Sequence, residues 1–288
     1  MAILNKKGRK IIIFLLISVL LFVCIGFSYA YYEARNIRLN QYIYNNKNIP
    51  DSFDGKRLIF ISDIHTNKYF GEKELSSLVK RINERNPDII VLGGDHTEKE
   101  EEYSSIFFQE ISKLKSTYGI FSVLGNHDHW EDKQLIQDGL ISCGFNICDN
   151  QSYWIKEGQD SIKIGGVGDL WEDKQLIENT TNDIEPNDFC ILLSHNPDYI
   201  EVLNNEKIDL MLSGHTHGGQ VTAFGLWAPI MPSTMHPEHL YTGQKYRYGW
   251  KSKDDISLYI TSGIGMGKFP FRFFAQPEIV EIVLKKER

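Results

Sequence analysis

The sequence predicts an α/β fold behind one N-terminal helix of membrane length, and three observations carry that prediction. A short apolar run of strand type, a loop marked by glycine or serine, and a polar residue able to hold a metal follow one another five times. Amphipathic stretches separate the early repeats, and an uncharged apolar run opens the chain. At 288 residues the chain is long enough to bury a sizeable core in one domain with an appendage.

The appendage comes first. Lys6, Lys7, Arg9 and Lys10 precede the run from Ile11 to Tyr32, which as a helix would extend about 33 Å at ~1.5 Å per residue, against a hydrocarbon core of roughly 30 Å. Basic residues ahead of the run favour a cytoplasmic N-terminus and place the residues beyond Tyr32 on the far side of the membrane. Ser28-Tyr29-Ala30 also resembles a signal-peptide cleavage site, so secretion after cutting near Ala30 is the competing expectation. The run outlasts the usual signal-peptide core of roughly 7 to 15 residues, which favours a retained anchor. The expected organisation is a basic cytoplasmic N-terminus (1–10), a transmembrane anchor (11–32), a linker and first strand (33–54) and the main domain (55–288).

The formal charge is −7 even with that basic start, so nothing here is a nucleic-acid-binding surface. An anionic substrate would need a local source of positive charge, and bound metal ions are the candidate. Four cysteines, Cys24, Cys143, Cys148 and Cys190, are too few and too irregular for a disulfide framework. Cys143 and Cys148 are left open between a disulfide and two free thiols.

In order along the chain, Asn36 to Tyr44 reads as a strand that meets a turn at Pro50 and Asp54-Gly55. Leu58 to Ile61 leads into Asp63 and His65; Ile89 to Leu92 into Asp95 and His96; Ile120 to Leu124 into Asn126, His127, Asp128 and His129. Phe189 to Leu193 leads into His195, and Leu210 to Leu212 into His215 and His217. Glu72 to Arg85 and Glu101 to Lys115 have helical spacing of their apolar residues. Asn146 to Cys148, Tyr153 to Lys156 and Ile162 to Val167 suggest a second, antiparallel set of strands. In an alternating α/β sheet, ligands gather beyond the carboxyl ends of the strands.

Seven of the nine histidines fall within five residues of such a run, a placement that a scatter of structural histidines would not give. With residues two apart on extended backbone pointing the same way, Asp63 and His65 are expected to share one ion. Gly214, Gly218 and Gly219 are expected to let the backbone turn tightly around the last two histidines.

The blocks Asp63-Ile64-His65, Gly94-Asp95, Gly125-Asn126-His127-Asp128, Ser194-His195 and Gly214-His215-Thr216-His217 resemble, in order, the signature of the calcineurin-like metallophosphoesterases. Gly214 to Gln220, with Pro270-Phe271-Arg272 and Gln276-Pro277-Glu278-Ile279, is similar to the branch with N-terminal anchors or export signals. The resemblance covers about residues 37 to 286. It implies a two-sheet sandwich flanked by helices, and hydrolysis of phosphomono- or phosphodiesters by a hydroxide held between two divalent ions. Asp63, His65 and His217 would hold one ion, Asn126, His195 and His215 the other, and Asp95 would bridge. His127 would be the proton donor with Asp128 as its orienting partner. Mixed oxygen and nitrogen ligands suit manganese, iron or zinc.

His96, His129 and Arg272 are the candidates for substrate contact, with Trp130 and Lys268 beside them. Phe224 to Met235 has no clear periodicity, and a lid, a membrane-facing wall and ordinary loop packing all stay open for it. Rival functions are a pyrophosphatase acting on a nucleotide-sugar lipid precursor and a catalytically idle, metal-stabilised surface or wall-binding protein.

Overall fold

In the computed structural model, residues 6–98, 101–204, 207–231, 242–267 and 269–287 are described. Helix α1 (Lys6–Glu33) leads into β1 (Arg38–Asn46), β2 (Arg57–Ile61), α2 (Glu72–Asn83), β3 (Ile89–Leu92), α3 (Glu101–Ile111), β4 (Ile120–Ser122) and α4 (Asn126–Ser142). There follow β5 (Asn146–Ile147), β6 (Ser152–Glu157), β7 (Asp160–Gly166), α5 (Glu178–Thr181), β8 (Cys190–Leu193), β9 (Leu210–Ser213), β10 (Gly249–Lys253), β11 (Ile256–Ile260) and β12 (Glu278–Lys286).

Two six-stranded sheets face each other, ordered β1-β12-β2-β3-β4-β5 and β10-β11-β9-β8-β7-β6. Strand alternation distributes the apolar side chains between layers. Leu58 and Phe60 of β2 point between the sheets, where they meet Ile162, Ile191, Leu193 and Leu212. Ile59 and Ile61 point outward beneath Leu75, Leu78, Val79 and Ile82 of α2 and Phe107 and Ile111 of α3. The outer face of the second sheet buries Leu192, Met211 and Leu258 under Tyr199, Ile200, Leu203 and Tyr246.

The antiparallel expectation for the middle of the chain is corrected in two places. In this stretch only β6 and β7 pair antiparallel; β5 pairs parallel to β4, and β7 parallel to β8. α4 is a complete crossover helix between β4 and β5, and such a connection returns the chain in the same direction. The helix itself is interrupted at Asp132, whose carboxylate accepts from Leu135 N at 3.0 Å and caps the second half. Cys143 packs on the helix side of the first sheet and Cys148 between the sheets, and all four cysteines are free thiols. A sheet stands between the two, which removes the option of pairing them.

The far end of the chain ties the sheets together. Glu278, at the start of β12, is fully buried and accepts from Tyr259 Oη at 3.0 Å, Thr261 Oγ1 at 3.1 Å, Ser262 N at 3.2 Å and Tyr248 Oη at 3.0 Å, with Asn40 also bonded to it. Arg38 supplies a positive partner at 3.5 Å. Removing the carboxylate strands five donors inside the fold, so Glu278→Ala should lower unfolding stability by about 3 kcal/mol in urea titrations. A loss below about 1 kcal/mol would show that the network is not holding the sheets.

Candidate metal centre

The side chains expected at the site do converge, on loops at the carboxyl ends of β2, β3, β4, β8 and β9. Ligand atoms of Asp63, His65, Asp95 and His217 lie within 4.8 Å of one another, and those of Asp95, His195 and His215 form a second such group. Asp95 belongs to both. Its Oδ2 is 3.4 Å from His65 Nε2 and 3.3 Å from His195 Nε2. Asn126 Oδ1 joins the second group 2.9 Å from His215 Nδ1, and His65 Nε2 and His217 Nε2 stand 3.0 Å apart.

These residues do not reach the site by extended alternation, as expected for Asp63 and His65. Asp63, His65, Asp95, His215 and His217 all have φ between 45° and 68°, a left-handed conformation that non-glycine residues seldom adopt. These five residues lie in the segments just beyond their strands, where the left-handed backbone bends the chain. Such strain persists where surrounding structure over-determines it, and at functional sites it is common.

The fixing bonds are visible. His215 N donates to Asp63 Oδ1 at 2.8 Å and His127 N to Asp95 Oδ1 at 2.9 Å. His195 Nδ1 lies 2.7 Å from Gly93 O, which keeps the proton on that nitrogen and leaves Nε2 facing Asp95. A Cβ on Gly214 would overlap Ser62 Oγ and Asp63 Oδ2, and one on Gly125 would overlap the Asp95 carboxylate; only glycine admits so close an approach.

Three of the roles expected outside the ligand set are redrawn by the contacts. Asp128 is not beside the His127 ring. Its carboxylate accepts the amides of Asp95, His96 and Gly125, each at 2.9 Å, and lies 2.8 Å from His96 Nδ1. It therefore clamps two ligand loops to the start of α4. His96 is fully buried between Asp128 and Ser122 Oγ and cannot face a substrate. Arg272 is fully buried as well, its guanidinium donating to the carbonyls of Gly265, Ser262, Ala275 and His217 and reaching His217 Nδ1 at 3.3 Å. It orients a ligand instead of meeting a phosphate. His129 is half-buried beside the charges of Lys133 and Asp173, and Lys268 lies outside the described residues.

Glu98 is a residue to which the sequence alone assigns no role. In the fold its Oε1 stands 2.9 Å from His65 Nδ1 and 3.5 Å from His127 Nδ1, linking a ligand to the expected proton donor. The signal for it, a carboxylate three residues beyond a ligand, carries no meaning until the loop is folded.

Electrostatics fit a site made for cations. Burial alone would raise the Asp95 pKa, yet His195, His127 and His65 hold it well below the usual carboxylate range. Burial disfavours a charged His65, but Glu98, Asp95 and Asp63 outweigh it and raise the pKa to about 9. His215 and His217 are pushed far down by burial and by their charged neighbours. Asp95 and Asp63 likewise raise the pKa of His195, and divalent ions held at these side chains would displace protons from them. Asp63 Oδ2 is buried with no hydrogen-bond donor, a gap that a cation fills.

A family model for the calcineurin-like phosphoesterases matches residues 56–219, which include every one of these candidate ligands. The chain is a calcineurin-like phosphoesterase. Over 266 residues this phosphoesterase is 31% identical to a Bacillus subtilis protein described as the uncharacterized metallophosphoesterase YkuE, covering 90% of each chain. It is 29% identical to the Escherichia coli phosphodiesterase YaeI, over 79% of this chain and 82% of that one. A Danio rerio transmembrane protein with a metallophosphoesterase domain is 29% identical over 83% of this chain. The zebrafish protein and three relatives from Campylobacter and Helicobacter are longer, and the chain spans 55% to 62% of their length. The phosphoesterase is accordingly a hydrolase of phosphoesters with a cluster compatible with two metal ions.

Because Gly214 abuts Asp63, Gly214→Ala should leave the circular dichroism spectrum unchanged and lower the metal retained per chain by elemental analysis. Full metal content in that variant would mean that the close approach does not shape the site.

Proposed function

We propose that this phosphoesterase uses two divalent ions to hydrolyse phosphomono- or phosphodiesters while anchored to a membrane by α1. The single observation that carries the reading is the sharing of Asp95 between two buried ligand groups, which fits a carboxylate bridging two ions. Asp63, His65 and His217 would hold one ion and Asn126, His195 and His215 the other. Bound ions of this kind polarise phosphoryl oxygens and lower the pKa of a water from ~15.7 toward ~7.

The chain's own residues supply the rest. His127, half-buried at the edge of the ligand group with its pKa lowered chiefly by burial, is the proton donor to the leaving oxygen. Glu98 positions its ring from the Nδ1 side, and Asp128 fixes the backbone on which it stands. Trp130 packs against the same imidazole, its ring centroid 4.8 Å from that of His127.

The anchor reading is supported by α1 itself. It is long and apolar enough to cross a membrane, and from Ile11 to Phe27 its large side chains are exposed. The basic residues at its start favour a domain outside the cytoplasm, and cleavage near Ala30 is opposed by the packing of that residue against Arg272 N, 3.1 Å from its carbonyl.

Full-length protein in detergent, assayed on a chromogenic diester with manganese, iron or zinc, should lose turnover on chelation and in Asp95→Asn. His127→Ala should keep its metal and lose about 10²-fold or more in kcat, least with good leaving groups. Turnover that survives both chelation and Asp95→Asn would overturn the two-ion mechanism. Protease added outside intact cells should remove the domain; a protected domain would invert the topology.

A further inference from the structure

The loops that follow the last ligands carry an apolar surface that the catalytic site does not use. Phe224, Leu226 and Phe269 are 77%, 82% and 67% exposed, with Trp227 and Ile230 beside them. A soluble surface rarely gathers so many large apolar groups in one place. The two segments are stitched into one platform: Thr222 N donates to Phe273 O at 2.8 Å, and Gln220 Nε2 donates to the carbonyls of Met266, Phe269 and Phe271.

This platform is continuous with the end of α1. Phe27 packs on Phe271 at 5.9 Å between ring centroids, Tyr29 on Phe273 at 5.4 Å and on Phe274 at 5.3 Å, and Phe224 on Phe274 at 5.3 Å. Phe274 N donates to Glu33 Oε2 at 2.6 Å. Arg272 then joins the two systems, its amide on Ala30 O and its guanidinium on His217. One residue therefore separates the helix end from a ligand of the metal centre.

We propose that the segments 221–231 and 269–274 sit in the interfacial layer of the bilayer that α1 crosses, so that the metal centre works at the membrane surface on the phosphoester of an amphiphilic lipid. Aromatic side chains favour that layer, and apolar burial there adds to the hold of the helix. The inference rests on the anchored phosphoesterase reading and adds a substrate class to it.

Trp227 makes the test direct, because α1 contains no tryptophan. The full chain, reconstituted in phosphatidylcholine vesicles with brominated acyl chains, should show quenched tryptophan emission, and Trp227→Phe should remove the quenched component. Release of the chain from vesicles by alkaline carbonate would overturn the anchor, and with it this inference. Retention without quenching of Trp227 would overturn the platform alone. A combined Phe224→Ser, Leu226→Ser, Phe269→Ser variant should turn over a soluble chromogenic diester within about twofold of the parent, and vesicle-borne phosphatidic acid or phosphatidylglycerol at least about tenfold more slowly. A parent active on the soluble diester and on neither lipid, or a variant that loses both activities equally, overturns the substrate class. Absence of soluble-diester turnover in the parent would instead strike the underlying phosphoesterase mechanism.

Discussion

Everything at the centre of this molecule answers to one electrostatic constraint: two carboxylates and four imidazoles are gathered where water scarcely reaches. Asp63 and Asp95 are essentially buried, as are His65, His195 and His215. Charges taken out of water cost several kcal/mol each unless opposite charge and hydrogen bonds compensate. The compensation here is layered. Backbone amides of His215 and His127 bond one oxygen of each aspartate, a backbone carbonyl sets the tautomer of His195, and Asp95 Oδ2 faces the imidazoles of His65 and His195.

That constraint explains why so much of the remaining sequence is committed to support. Asp128 holds three amides from two loops, Arg272 holds four carbonyls and the back of His217, and Glu98 holds His65 and approaches His127. Each of these charged groups is at or near full burial because its partners are fixed groups of the fold rather than solvent. Strain at the ligands is maintained by the same bonds, since a left-handed turn at an aspartate or histidine would otherwise relax. The close approach of strands and loops leaves space for glycine alone at Gly125 and Gly214.

Helix α1 is part of this architecture and not an isolated appendage. Its last two turns pack on Phe271, Phe273 and Phe274, and the carbonyl of Ala30 and the carboxylate of Glu33 bond the loop that carries Arg272. The terminal strand begins a few residues later with Glu278, whose buried network ties β11 to β12. Helix end, ligand clamp and inter-sheet network thus follow one another within a short segment.

Much of this could be read from the chain alone, because hydrophobic periodicity and motif spacing are local properties. The strands preceding each ligand, the helices α2 and α3, the membrane-length helix and the identity of the converging histidines and aspartates were all legible that way. The sequence could not say who bonds to whom across the fold. Asp128 reads as a partner of its neighbour His127 and proves to serve a loop more than 30 residues away. Arg272 and His96 read as substrate contacts because charge and position suggest solvent, whereas their partners lie 55 and 26 residues off and bury them. The parallel placement of β5 likewise depends on α4 crossing over the sheet. Residue types and their periodicity are inherited from the chain, but burial, hydrogen-bond partnership and the turn geometry of each ligand exist only once distant segments are packed, and those decided which polar groups hold the site and which are available to act in it.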